Sequence, residues 1–187
     1  MNILVKKQRL DTIPYLEVVE EKNSHQCIKT VLFIHGFTSA KEHNLHYAYL
    51  LAEKGFRVIL PDTLYHGERE VGFNEVQLSI HFWEIVLQTI RDIEKLRNHL
   101  VEQKKIISNI GLIGTSMGGI ITLGALSQYD WIQSAVSLMG NPCYVEYAKY
   151  QLEHMQSMLQ NIPIEKEKIE VILDQIQKYD LSKQPHR

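Results

Sequence analysis

The stretch of sequence that decides the fold runs from Asn109 to Gly119 and reads NIGLIGTSMGG. Its first half is apolar and predicts a buried β-strand, and the residues from Met117 onward predict a helix. Between them lies the pattern G-x-S-x-G, centred on Ser116. This pattern alone occurs by chance in roughly one chain in twenty of this length. A strand directly before it and a helix directly after it are, however, the setting of a nucleophile elbow.

The glycines on either side of Ser116 fit that interpretation. An elbow holds its serine in a strained backbone conformation, so that the hydroxyl stands clear of the sheet. A side chain two residues before or after the serine would collide with the crossing backbone, and Gly114 and Gly118 avoid this collision. The N-terminus of the following helix favours negative charge at the same place. The alternative is a glycine-rich turn that only lets the strand and helix pack closely.

Strands and helices alternate along the rest of the chain. The predicted strands are Ile3–Gln8, Ile13–Glu20, Thr30–Ile34, Phe56–Leu60, Asn109–Ile113 and Ala135–Met139. The predicted helices are Glu42–Lys54, Val76–Glu102, Met117–Gln128, Tyr144–Gln160 and Ile164–Tyr179. This alternation predicts an α/β fold of three layers, with a mainly parallel sheet and helices on both faces. The first two strands are expected to form an antiparallel edge.

Two of these helices carry apolar positions that predict their buried faces. The first has its predicted apolar stripe at Leu45, Tyr49, Leu50 and Ala52, and Gly55 is placed to end it. The second is predicted as one long helix, because its apolar residues recur every three or four positions from Phe82 to Leu100.

Composition places the chain among ordinary globular domains. It has 187 residues, 44% of them hydrophobic, and a formal net charge of −2. This charge gives no reason to expect a nucleic acid or an anionic membrane as a partner. Two cysteines do not make a disulfide framework, and no secretory signal or apolar run of about 18 residues is visible. One cytoplasmic domain spanning residues 1–187 is expected.

A second candidate segment follows the first buried strand. His35, Gly36 and Phe37 stand at a strand-to-loop corner, where glycine lets a backbone N–H face a cleft. In an elbow hydrolase this loop gives one oxyanion donor and the residue after the nucleophile gives the other. These donors would be the N–H groups of Phe37 and Met117. His35 is expected to shape the loop rather than to act as a general base.

Other polar residues carry weaker signals. Asp62 follows a strand and is expected to hold a turn through hydrogen bonds to the backbone. His43 and His46 have a spacing that can bind a metal, but no carboxylate or cysteine cluster completes such a site. Cys143 has no cationic neighbour in the sequence and is expected to be inert. No metal or organic cofactor is therefore expected.

Taken together, these segments resemble the α/β-hydrolase superfamily. The resemblance rests on HGF at 35–37, PD at 61–62, HGER at 66–69 and GTSMGG at 114–119, which occur in the family's order. The chain looks most like bacterial esterases related to dienelactone hydrolases and to the catalytic domains of acylaminoacyl and prolyl oligopeptidases. The resemblance extends to about Met139 and implies that Ser116 is a catalytic serine.

The acid and histidine of the family's triad are expected after Ser116, in that order. If residues 169–173 formed a strand, Asp174 would stand at its end and His186 downstream. The segment has a helical period, however, and the two residues lie too close in sequence for the helix and strand expected between them. His154 precedes both and falls within a predicted helix.

The sequence is instead interpreted as a hydrolase domain that is incomplete at its C-terminus. The missing strands and helices would need about 50–60 residues. Residues 143–179 are interpreted as a helical, cap-like insertion, and residues 1–187 alone are expected to show little or no turnover. The implied activity is hydrolysis of a small carboxylic ester through an acyl-enzyme on Ser116. The alternatives are a non-catalytic binding protein of the same fold and a small peptidase, and a homodimer is compatible with the sequence.

Overall fold

Six strands form one sheet in a computed structural model that describes residues 1–107, 109–158 and 166–184. Their spatial order is β1-β2-β4-β3-β5-β6. The strands are β1 (Ile3–Leu10), β2 (Ile13–Glu20), β3 (Thr30–Ile34), β4 (Arg57–Pro61), β5 (Ile110–Thr115) and β6 (Ile132–Leu138). The hairpin of β1 and β2 pairs antiparallel with β4, and β4, β3, β5 and β6 run parallel. This confirms the predicted sheet with its antiparallel N-terminal edge.

Six helices accompany the sheet. They are α1 (Leu45–Glu53), α2 (Glu75–Ile80), α3 (Phe82–Glu102), α4 (Met117–Gln128), α5 (Tyr144–Met158) and α6 (Lys166–Gln177). No helix in these described segments combines the length and the apolar character needed to cross a membrane. Asp174 lies within α6. This confirms the helical prediction for the segment around it, and the strand alternative there is wrong.

The inner parallel strands β3 and β4 are buried at every position and mostly apolar because both of their faces are covered, whereas β6 at the edge of the sheet is largely exposed. In β4, Val58 and Leu60 pack with α1 residues in one buried cluster, whereas Ile59 belongs to the cluster built with α3 and α4. Successive side chains of a strand point to opposite faces, so a strand between two helical layers needs apolar residues at every position. Helices on both faces of the sheet are therefore confirmed.

Two helix predictions need correction. The long helix is divided at His81, whose backbone (φ −89°, ψ 6°) ends α2 and begins α3. The ring of His81 stacks on Phe73, and its Nδ1 lies 2.7 Å from a carboxylate oxygen of Glu84. The stacking on Phe73, in the loop before α2, and the contact with Glu84 at the start of α3 hold His81 at the break, and an apolar period cannot reveal them.

The first helix also differs from its prediction. It begins at Leu45 after a short 3-10 turn, and it buries Ala48 and Ala52 while Tyr49 and Leu50 are exposed. The small residues face the sheet because the helix lies close to it. Gly55 (φ +86°) ends the helix as predicted.

Candidate active site

Ser116 lies at the turn that joins β5 to α4. Its backbone has φ 53° and ψ −116°, a conformation that is strained for any residue with a Cβ. Its N–H donates a hydrogen bond of 2.8 Å to the carbonyl oxygen of Leu138, which ties the turn to the end of β6. The residue is solvent-exposed. The turn thus presents the serine above the carboxyl ends of the parallel strands.

The glycines two residues away from Ser116 are required by close backbone contacts. A Cβ on Gly118 would lie 2.7 Å from the carbonyl oxygen of His35 and still closer to that of Ile34. A Cβ on Gly114 would overlap the carbonyl oxygen of Gly118. No real Cβ approaches backbone atoms so closely, so the crossing of β3, β5 and α4 depends on both glycines. The steric argument made from the sequence applies to this turn.

The loop after β3 lies against the serine turn. A Cβ on Gly36 would be 3.3 Å from the carbonyl oxygen of Thr115 and 3.5 Å from Cβ of Ser116. Phe37, the next residue, lines the same cleft as Ser116 and Met117. Met117 is the first residue of α4, where backbone N–H groups have no intrahelical acceptor. The structure therefore brings together the three residues from which the sequence predicts a nucleophile and an oxyanion hole.

Two buried histidines hold the loops around this turn as neutral rings. The N–H of Thr63 donates to Nε2 of His35 at 3.1 Å, and Nδ1 of His35 therefore donates to the carbonyl oxygen of Gly36 at 2.8 Å. His66 repeats the arrangement, accepting from the N–H of Thr38 at 3.1 Å and donating to the carbonyl oxygen of Leu64 at 2.8 Å. Burial lowers the pKa of His35 to about 4 and lowers that of His66. Both rings thus have a structural part, as the sequence predicts for His35.

A buried ion pair holds the loop after β4. The carboxylate of Asp62 accepts hydrogen bonds from the backbone N–H and the Nζ of Lys41, at 3.0 and 2.6 Å, and from the N–H of Glu68 at 3.0 Å. Nζ of Lys41 also lies 2.7 Å from Glu68 and 3.0 Å from Glu42. Burial favours a lower pKa for Lys41, but these hydrogen bonds outweigh burial and raise the pKa. Asp62 holds the turn as predicted, whereas its partner Lys41 has no signal in the sequence.

The main cleft beside Ser116 has a volume of about 410 Å³. One wall comes from the loop after β3 and from α3, and the opposite wall is a face of α5 that carries Tyr147, Tyr150, Gln151 and His154. The ring of His154 stacks on that of Tyr150, with centroids 6.2 Å apart. Of these α5 residues, only His154 was considered from the sequence, and it was set aside as part of a predicted helix. Their three- and four-residue spacing is the signal that places them on one face.

The predicted acid is not part of this cleft, and the predicted base is not among the described residues. Asp174 is exposed on α6 and is absent from the cleft lining. His186 lies outside the described residues. His154 lines the cleft, but on a helix that precedes any candidate acid. Within the part of the chain that the structure describes, the geometry therefore brings a serine and two backbone donors together without the acid named from the sequence.

The histidines and cysteines considered as metal ligands or thiols can be placed in the structure. Within the described ranges, no group of three or more histidine, cysteine or acidic residues could hold a metal ion. His43 is exposed, and its Nδ1 lies 3.0 Å from Oγ of Ser39. Cys27 and Cys143 are both free cysteines.

Comparisons with known proteins identify the fold family of the chain. A family model described as the alpha/beta hydrolase fold matches residues 29–184. The chain is 50% identical over 186 residues to "Putative esterase YitV" of Bacillus subtilis (strain 168), an alignment that covers 99% of this chain and 73% of that protein. It is 30% identical over 148 residues to "Esterase YjfP" of Escherichia coli (strain K12), covering 79% of this chain and 59% of the relative.

A solved structure supports the same fold at low identity. The acylaminoacyl peptidase of Pyrococcus horikoshii superposes with a TM-score of 0.64 and 18% identity, and the match covers 92% of this chain and 29% of the peptidase. At this identity the likeness concerns the fold alone. Because the family model covers most of the sequence and the relatives named as esterases align with it, the chain belongs to the alpha/beta hydrolase fold family.

Proposed function

We propose that the protein hydrolyses carboxylic esters through an acyl-enzyme formed on Ser116. The observation that carries the proposal is the serine itself, held at positive φ between a buried strand and a helix and exposed to a cleft. Strained backbone of this kind persists where the surrounding structure imposes it, and it clusters at catalytic positions. The esterase names of the two relatives point to the same substrate class.

In the proposed reaction, Oγ of Ser116 attacks the acyl carbonyl and gives up its proton to a general base. The carbonyl oxygen becomes an oxyanion, which accepts hydrogen bonds from the N–H groups of Phe37 and Met117 at the N-terminus of α4. The alcohol then leaves with a proton, and the acyl group remains on Ser116 as an ester. A water molecule attacks this ester, releases the carboxylic acid and restores the serine.

We place the general base and its acid partner outside the described residues. His35 and His66 use both ring nitrogens to hold the backbone, so neither can accept the proton of Ser116 without breaking a hydrogen bond. Asp174 is exposed and away from the cleft. His154 does line the cleft, so it is the histidine that a direct test must include.

Replacing Ser116 by Ala tests the nucleophile. In the protein expressed from its whole gene, Ser116→Ala should lower kcat for p-nitrophenyl acetate by about 10,000-fold or more, because the acyl-enzyme no longer forms. His154→Gln should lower it far less. A His154→Gln variant as inactive as Ser116→Ala would show that the base lies on α5 instead.

A fluorophosphonate probe separates the enzyme from a binding protein of the same fold. Covalent labelling that is lost in Ser116→Ala supports the proposal, since the probe reacts with activated serines. A folded, whole protein that is neither labelled nor active on esters favours the non-catalytic alternative. Cleavage of peptides with no cleavage of esters would favour the peptidase.

A further inference from the structure

A second cavity lies beside the main cleft, and neither the fold nor the proposed chemistry accounts for it. This side cavity has a volume of about 170 Å³ and lies between α2, α3, α5 and α6. Its lining is almost entirely apolar, and the residues that belong to it alone include Trp83, Ala148, Ile169, Ile172 and Leu173. Such a cavity is suited to an apolar group and not to a charged one.

The side cavity and the main cleft share part of their walls. Ser79, Gln151 and Met155 line both, so these three residues form the boundary between Ser116 and the apolar space. A substituent on a carbonyl carbon bound at Ser116 would therefore reach the side cavity by passing this boundary.

The boundary also carries a polar atom whose hydrogen-bonding capacity is unused. Oε1 of Gln151 is buried and accepts no hydrogen bond from any described residue. Buried acceptors are nearly always paired in native structures, so this oxygen is available to a water molecule or to a polar atom of a ligand at the boundary, while the apolar space beyond it is left to an apolar group.

We propose that the side cavity binds the apolar group of the ester substrate, with a size of about six carbons. A cavity of about 150 Å³ lined by aliphatic and aromatic side chains holds a benzene ring, and this one is slightly larger. The inference rests on the proposed ester hydrolysis and names the substrate class for it. The class is an ester with a medium-length aliphatic or a single-ring aromatic substituent.

Chain-length profiles test the inference in the protein expressed from its whole gene. Along p-nitrophenyl esters from acetate to hexanoate, kcat/KM should rise about fourfold per added methylene, because each methylene leaves water on entering the cavity. The rise should stop in longer esters, once the cavity is full. A parallel series of alkyl acetates, followed by acid release, varies the alcohol instead. A rise in one series assigns the cavity to the acyl or to the alcohol side. A flat profile in both series would overturn the inference.

Substitutions on α6 locate the effect in the side cavity. In the series that rises, Ile172→Phe should lower the ratio of kcat/KM for the longest ester to that for the shortest by at least about 30-fold, because the larger ring fills the space. Ile172→Ala should move the optimum toward longer chains and serves if the first variant does not fold. The matched control is Val171→Phe, whose site is 55% exposed on the same helix and which should leave the ratio unchanged.

Two failures can be told apart in these experiments. If Ser116 is unlabelled and no ester is cleaved, the proposed function is wrong. If esters are cleaved at Ser116 but Ile172→Phe and Val171→Phe give the same chain-length profile, the proposed function stands and the side-cavity inference is wrong.

Discussion

The serine turn and the loop after β4 leave the same edge of the sheet, but they are held in opposite ways. The serine turn depends on missing side chains, since a Cβ on Gly114 or Gly118 would strike the backbone. The loop after β4 depends on charged side chains, because buried Asp62 binds buried Lys41 and the N–H of Glu68.

The difference between the two turns predicts how each of them fails. A steric constraint does not depend on pH, and the GTSMG turn contains no acidic or basic side chain. A buried ion pair with neighbouring neutral histidines depends directly on protonation. The serine turn should therefore be sensitive to added atoms, and the loop after β4 to changes of charge.

The largest effect is expected from adding one methyl group to the serine turn. Gly118→Ala should lower the free energy of unfolding by more than about 4 kcal/mol, because the backbone of β3 or α4 must move to accept the Cβ. Urea or thermal denaturation measures the loss, and ester hydrolysis should be lost together with it.

The matched control for this substitution is Gly111 in β5, the strand that leads into the serine turn. A Cβ on Gly111 would meet its nearest neighbour, a methyl of Val31, at 3.4 Å, which is an ordinary contact. Gly111→Ala should therefore change the free energy of unfolding by less than about 1 kcal/mol. Equal losses in the two variants would contradict the steric account of the turn.

Removing the carboxylate of Asp62 should have the next largest effect. Asp62→Ala leaves Lys41 buried without its closest partner, and the free energy of unfolding should fall by about 3 kcal/mol. Chemical denaturation at neutral pH measures it. Asp174→Ala is the control, since replacing this exposed aspartate should lower the free energy of unfolding by less than about 0.5 kcal/mol. A loss no larger than the control's would show that the ion pair does not hold the loop.

Acidification should lower the free energy of unfolding gradually, through the buried histidine that holds the loop after β4. The pKa of His35 is about 4 in the folded protein, below its ordinary value of 6.5, so the unfolded chain binds more protons between these two values. The free energy of unfolding should therefore fall as the pH drops from about 6.5 to 4, by up to about 3 kcal/mol from His35. Urea titrations at several pH values measure this slope.

A His35→Asn variant isolates the contribution of the ring. Asparagine keeps an acceptor and a donor but does not titrate, so the variant should show a shallower decline of stability over the same range. An identical slope in both proteins would place the acid sensitivity elsewhere, with His66 as the next group to replace.

The sequence predicts the serine turn better than the loop after β4. The residues that shape the serine turn are consecutive in the chain, whereas those that hold the loop after β4 are far apart in it. Glycine spacing around Ser116 is a local requirement and is visible in five consecutive residues. Asp62 and Lys41 lie 21 positions apart and meet only because β3 and β4 are neighbours in the sheet. A lysine in an otherwise polar loop gives no sign that it will be buried.

The same reasoning separates the predicted fold from the parts that the sequence missed. Alternating strands and helices predict the mainly parallel sheet with helices on both faces, because short right-handed connections leave few arrangements. The break at His81 and the wall of α5 residues depend on tertiary packing, which apolar periodicity does not record. Nearly all of the architecture was therefore predictable, whereas the site was predicted only where backbone geometry defines it.

The hydrogen bonds of His35 and His66 have a further consequence. Each imidazole accepts one main-chain N–H and donates to one main-chain carbonyl, so each does what a peptide group does between two strands. Each ring thus joins two loop segments by the pair of hydrogen bonds that a paired strand would otherwise provide. Their nitrogen chemical shifts should therefore report one fixed neutral tautomer, protonated at Nδ1, in the folded protein at neutral pH.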